Sequence, residues 1–337
     1  MPRALTMPAD RDASIDVARG IAIVLVVLGH NRALSMAWPP LVAAIFLFHV
    51  PLFFMLSGRV MHPGDPLRAL PRLARRLLAP FLLAALVIGA IKCVTRDESV
   101  SGMLSGVAWA TGETLPWSHL WFLPSLFLAL FATHALALGV KNSAGWAAAA
   151  VLAVGAAAIL PMADYIGWPW SLDLLPLCAA FVWTGQALRT SSAARRAVAH
   201  PATFLIAAVV FALSLGTSEV DLNLRVFEPF ALALSAALAG CVLTLAMSRG
   251  LRRFAAIARP LALIGRHTLV IFILHVSVQK ALLMVFPGET LSRTGLGILG
   301  LASAALTIAL TLCVSMLFDL FGARHATQRD ATPSEAR

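Results

Sequence analysis

The chain reads as long apolar runs separated by short polar loops. A helix needs about 20 residues to cross a bilayer core, with a range of roughly 17 to 25. About ten runs fit that length, near 15–33, 41–61, 76–95, 119–139, 144–161, 171–189, 202–217, 228–248, 261–285 and 295–321. The fifth and seventh are short, which fits tilted or partly re-entrant segments. Helices apolar on every side belong in a protein core or a membrane. The pattern predicts an all-α fold, a polytopic integral membrane helical bundle with about ten transmembrane helices. The chain then divides into a cytoplasmic N-terminal segment (1–14), a transmembrane domain (15–321) and a polar cytoplasmic tail (322–337) expected to be disordered.

Composition decides between core and membrane. Of the 337 residues, 60% are hydrophobic and 12% charged, against about 25% charged in soluble domains. A bundle of this size leaves no room for a separate soluble domain. The net charge of +10 invites a nucleic-acid reading, but the placement of the charges excludes it. Arginines crowd the loops after runs two (Arg59, Arg68, Arg72, Arg75, Arg76), six (Arg189, Arg195, Arg196) and eight (Arg249, Arg252, Arg253, Arg259). The alternate loops hold Asp97, Glu98, Glu113, Asp164, Glu219, Asp221, Glu228 and Glu289. The excess of positive charge on one side puts both termini in the cytoplasm, and the membrane is expected to be a bacterial-type inner membrane. The first run keeps Asp16 and Arg19 and shows no cleavage site, so it reads as a retained helix rather than a signal peptide. Cys93, Cys178, Cys241 and Cys313 make no close-spaced pair, so neither a disulfide nor a metal site is expected.

Chemistry enters with the ionisable residues inside the runs. Arg19 and His30 are eleven residues apart, which on a helix puts them within roughly 20° of each other and about 16 Å apart along the axis. Asp16 lies one turn before Arg19 on the same face and is expected to pair with it. Such groups either snorkel to the interface or face a bundle interior or watery cavity. His49 precedes Pro51 in the second run, where proline frees a carbonyl and permits a kink. It is either a packed core histidine or part of a site wall, with Ser57 and Gly58 at the other end of the run. Arg72, Arg75 and Arg76 share a helix face before the third run. They set topology or, as clustered guanidinium groups, recognise phosphate. His119 and Trp121 open the fourth run, as belt residues or as a sugar-facing surface. His275 lies past the middle of the ninth run, either packed or in the site.

Several of these stretches share a resemblance. Ile15-Asp16-Val17-Ala18-Arg19-Gly20-Ile21 with His30 resembles the first helix of the acyltransferase 3 family of membrane O-acyltransferases. The string from Phe46 to Gly58 and the string Leu120-Trp121-Phe122-Leu123-Pro124 are similar to its fucose 4-O-acetylase-like branch. Arg72 with Arg75 or Arg76 resembles the family's Arg-x-x-Arg element, and Ile264 to His275 resembles a late helix that ends on His. Likeness extends from about residue 14 to residue 320; Phe81 stands where the family often has Tyr after Pro80.

The resemblance implies transfer of an acetyl group from cytoplasmic acetyl-CoA to a hydroxyl of an envelope or surface glycan, or a lipid-linked sugar, on the outer side. It implies His30 as general base or acetyl carrier near the outer face, with Arg19, fixed by Asp16, at the inner end of the same helix. Arg72, Arg75, Arg76 and Ser57 would meet acyl-CoA; His49, His119, Trp121 and His275 would line the acceptor site. No metal and no nucleic acid is implied. The competing reading is a polysaccharide or glycolipid export protein without acyl transfer. No internal repeat or matched pair of broken helices supports it.

Overall fold

The protein is described by a computed structural model covering residues 13–96, 99–159, 167–286, 288 and 290–330. The first twelve residues, the loop acids Asp97, Glu98, Asp164 and Glu289, and tail residues 331–337 lie outside the described residues.

In chain order the helices are α1 (Ala13–Gly29), α2 (Arg32–Ala37), α3 (Pro39–Phe46), α4 (His49–Val60), α5 (Pro66–Leu73), α6 (Ala79–Arg96), α7 (Val100–Trp109), α8 (Phe122–Leu136) and α9 (Ser143–Ile159). Then come α10 (Leu175–Thr190), α11 (Ser192–Ala199), α12 (Pro201–Ser214), α13 (Phe230–Leu251), α14 (Ala255–Arg266), α15 (Thr268–Val285) and α16 (Arg293–Asp330). Among the described residues seven helical stretches are long and apolar enough to cross a membrane. The pair α11–α12, bent by 64°, makes an eighth if it counts as one span. At 17 residues each, α1 and α9 stand at the short end of spanning length. Leu83, Ile91, Leu205, Ile206, Leu301 and Leu317 lie exposed along their helices. Such outward apolar faces suit lipid and not water. The fold is thus an all-α polytopic membrane bundle.

The structure departs from the expected runs at three breaks. The second run is divided between α3 and α4 at Leu47–Phe48. Pro51, with no N–H, cannot donate to the Leu47 carbonyl four residues back, so the ladder fails there. The ninth run is two helices, with His267 between α14 and α15. Before α6 the chain makes a π-helical turn, Ala74–Leu78. Pro80 cannot donate to the Arg76 carbonyl and its ring crowds it; the turn widens, and Ala79 donates to Ala74 instead. An antiparallel hairpin, β1 (Glu219–Asp221) with β2 (Val226–Glu228), pairs Val220 with Phe227 ahead of α13. The alternating pattern there is too short to read as strands.

The chain forms two compact units, Met1–Val42 with Ser248–Arg337, and Ala43–Met247. In the first, α1 packs on α14 through two glycines. A Cβ on Gly20 would lie 2.0 Å from the Leu261 carbonyl oxygen, and one on Gly265 would lie 1.9 Å from that of Asp16. Helices α15 and α16 pack on α1, and α2 packs on α16.

In the second unit α4 packs on α10 by the same device. Added Cβ atoms on Gly58 and Gly185 would lie 1.9 Å from the Val182 oxygen and 2.1 Å from the Met55 oxygen. Gln186 of α10 closes the C-terminus of α4, its Nε2 donating to the Gly58 and Met61 carbonyls at 2.7 and 2.8 Å. Helices α8 and α9 flank α10. The loops at the hairpin end are held by Arg225, whose Nε donates to Asp173 Oδ2 at 3.0 Å, with side-chain exposures of 3% and 1%.

Candidate active site

In the first unit, helix α1 carries Asp16 and Arg19 in its first two turns. Asp16 is buried in the first turn and Arg19 half-buried one turn on. The fold brings a second guanidinium to Asp16 from the far end of the chain: Arg266 Nε lies 3.4 Å from Asp16 Oδ2. Nothing in the sequence pairs Arg266 with Asp16. Its position as the last residue of α14, the helix that the two glycines press onto α1, puts it there.

His30 follows the last residue of α1, and its Nδ1 lies 3.0 Å from the Val26 carbonyl oxygen. A carbonyl oxygen can only accept, so Nδ1 carries the proton. In the neutral ring the lone pair then belongs to Nε2, the form that serves as a base. His275 is fully buried on α15 and donates from Nδ1 to Phe272 O at 2.6 Å. The two rings meet edge to face, 5.2 Å between centroids and 86° between planes. Thus two imidazoles of the first unit, 245 positions apart in sequence (30 and 275), come into contact with the same tautomer.

Asn31 turns the chain after His30. Its Oδ1 accepts from Leu34 N at 3.1 Å, capping α2. Its Nδ2 reaches Gly300 O at 3.2 Å and Ser303 Oγ at 2.9 Å on α16. Gln279, one turn beyond His275, is buried and donates from Nε2 to Val27 O at 2.6 Å. Neither was singled out from sequence. A glutamine four residues from a histidine in an apolar helix was the available signal for Gln279, and an N-cap residue after a histidine was the one for Asn31.

The second unit holds the remaining candidates. His49 is buried at the start of α4, donating from Nδ1 to Ile45 O at 3.0 Å and touching the Phe46 ring. Ser57 is half-buried two turns later, and Gly58 serves the contact with α10. His119 and Trp121 lie buried in the 3₁₀ turn Ser118–Trp121. Trp121 is therefore not an exposed belt residue. Phe122, next to it, packs against Phe53 and Phe54 of α4 at 6.1 and 5.0 Å. The second helix and the start of α8 thus share one aromatic contact. Arg72 lies in the last turn of α5, whereas Arg75 and Arg76 lie in the π turn. The predicted single helix face is therefore redrawn, since a π turn changes the angular step. All three are exposed, and their guanidinium groups make no hydrogen bond or ion pair to a described residue. They suit a polyanionic ligand. Among the described residues no group of three or more His, Cys, Asp or Glu side chains is placed to hold a metal ion.

A bundle of apolar helices carrying a buried carboxylate, half-buried guanidinium groups and two touching imidazoles defines a polytopic membrane protein with a polar site inside one of its helical units. The chain belongs to the acyltransferase 3 family: residues 12–320 match its acyltransferase domain. It is also similar to the nodulation protein NolL of Sinorhizobium fredii (strain NBRC 101917 / NGR234), 31% identical over 140 residues, which are 38% of this chain and 37% of that protein. The chain thus covers little more than a third of that relative's length. No solved structure is a significant match.

Proposed function

We propose that the protein is a membrane O-acetyltransferase that moves an acetyl group from cytoplasmic acetyl-CoA to a hydroxyl of an envelope or surface glycan on the outer side of a bacterial-type inner membrane. The activity belongs to residues 15–321, with both termini cytoplasmic. The observation that supports this reading is the Nδ1 bond of His30 to Val26, which leaves the lone pair of the neutral ring on Nε2.

The acceptor oxygen attacks the thioester carbonyl carbon while its proton passes to His30 Nε2. The carbon–sulfur bond breaks, the CoA thiolate leaves, and it takes the proton from the imidazolium, giving CoA thiol and the ester. The same lone pair serves the alternative route, in which Nε2 is itself acetylated and then attacked. Arg19 and Asp16, at the opposite end of α1 from His30, are assigned to the inner end of the reaction path, with Arg266 supporting the carboxylate. Arg72, Arg75 and Arg76, exposed and uncommitted, are assigned to the phosphates of acyl-CoA, with Ser57 on the donor side. His49, His119, Trp121 and His275 are assigned to the acceptor.

The test uses inverted membrane vesicles supplied with radiolabelled acetyl-CoA. Label should enter glycan with the wild-type protein and not with His30→Ala, at equal membrane content of the two proteins. Undiminished labelling with His30→Ala rejects the base assignment. Glycan movement without acetyl transfer by the wild type rejects the enzyme and favours export.

A further inference from the structure

We infer that Gln279 is a substrate-binding residue, whose side-chain oxygen accepts a hydrogen bond from an O–H or N–H donor of the substrate held at His30. The inference rests on the reading of His30 as the reacting imidazole.

The argument begins with the last turn of α1. His30 N donates to Val26 O at 3.0 Å, as a helix requires, but Asn31 N turns to Leu28 O at 3.2 Å. The Val27 carbonyl thereby loses the donor that a continuing helix would supply. Gln279 Nε2 supplies it from α15 at 2.6 Å. This bond also fixes the amide: a carbonyl partner demands the NH₂ group, so the other atom is the oxygen. Gln279 is 3% exposed, and among the described residues Oε1 has no hydrogen-bond partner. Oxygen and nitrogen hang on one carbon, so the orphaned oxygen lies beside the Val26–Val27 turn that orients His30. His275, one turn earlier on the same face of α15, touches the His30 ring.

A buried acceptor left unpaired is an expense that a merely structural clamp avoids, since a shorter or purely donating side chain could close Val27 as well. Both substrates of an acyl transfer bring a suitable donor. The acceptor offers a hydroxyl other than the one that reacts, and the arm of acyl-CoA offers amide N–H groups. The shared chemistry is a neutral donor presented within reach of the reacting imidazole.

The experiment compares wild type, Gln279→Met and Gln279→Glu in membrane vesicles. Radiolabelled acetyl-CoA is titrated in one arm and an envelope-glycan extract in the other. Membrane content and thermal unfolding are measured in parallel. Gln279→Met, similar in length and without either polar atom, should raise one half-saturation value about tenfold or more. A rise for acetyl-CoA alone identifies the donor arm, and a rise for the extract alone identifies the acceptor hydroxyl. Gln279→Glu keeps an accepting oxygen and should restore part of that loss although its bond to Val27 is impaired. A lower turnover with both half-saturation values unchanged, or equal loss in the two variants in step with their unfolding temperatures, overturns the inference and leaves only a clamp. Absence of transfer by the wild type defeats the functional reading instead, so the two failures are distinct.

Discussion

The rings of His30 and His275 meet edge to face at 5.2 Å, each with its Nδ1 bonded to a carbonyl of its own helix or helix end. On the proposed mechanism these two imidazoles act as one unit, and removal of one member should forfeit most of what the pair supplies. His30→Ala is expected to lower turnover by about 10²–10⁴-fold, the usual worth of a general base. The double variant with His275→Ala should be no slower than His30→Ala alone. His275→Phe keeps a ring against His30 and should retain more activity than His275→Ala. Initial rates of acetyl transfer at matched protein content decide the matter; losses that simply multiply in the double variant would separate the two residues.

Donor recognition is assigned to the exposed arginines of α5 and the π turn. Replacing Arg72, Arg75 or Arg76 by Ala should raise the KM for acetyl-CoA several-fold each while leaving kcat nearly unchanged. Exposed charges are screened by salt, so the wild-type KM should climb with ionic strength and that of the triple variant should not. Parallel salt dependence in the two proteins would remove phosphate binding from these residues and return them to topology.

The two glycine contacts make the clearest prediction about stability. The atoms facing Gly20, Gly265, Gly58 and Gly185 are backbone atoms of the neighbouring helix, which cannot swing aside. Alanine at any of these positions should destabilise by about 1–3 kcal/mol or more, as overpacking does. Gly20→Ala and Gly265→Ala lie on one interface, so together they should cost less than their sum, because the first has already parted the helices. Gly155 has nothing within 4 Å of its added Cβ, and Gly155→Ala in α9 should stabilise by about 0.5–1 kcal/mol. Thermal unfolding in detergent reads all five single variants and the double one. A neutral Gly20→Ala would contradict the packing of α1 on α14.

These contacts also mark what the sequence could and could not tell. The apolar runs were legible because helix rise and bilayer thickness are local rules. The string from Phe46 to Gly58 carried the small residues of a close helix contact, though not the identity of the helix, α10. Pro51 signalled the break at Leu47–Phe48, whereas the one at His267 was hidden, since a missed backbone bond leaves no mark on hydrophobicity. Arg72, Arg75 and Arg76 were read on one α-helical face, and Pro80 was the overlooked cause of the π turn. Arg266 with Asp16, Gln279 with Val27 and Asn31 with Gly300 join residues about 250 or more positions apart. Only the fold supplies such pairs.

The hairpin ahead of α13 carries the last prediction. Asp221 Oδ1 accepts the Asn223 and Leu224 N–H groups at 3.0 and 3.2 Å, closing the turn. Burial raises its carboxyl above the ordinary value of 3.8; the two N–H bonds oppose the rise and Glu219 adds to it. The folded state therefore holds this proton more tightly than the unfolded chain does. The resulting stabilisation is complete below the ordinary value and is lost as the pH rises through the raised one. At neutral pH the fold bears the cost of a half-buried carboxylate. Asp221→Asn keeps an oxygen for both N–H groups and removes the ionisation, so it should unfold at a higher temperature than wild type at pH 7. That advantage should shrink as the pH falls toward the ordinary carboxylate range. Asp221→Ala loses the two bonds and should cost about 1 kcal/mol. Unfolding curves of the three proteins from pH 4 to pH 7 test this, and a constant gap between wild type and Asp221→Asn would show that burial does not shift the group.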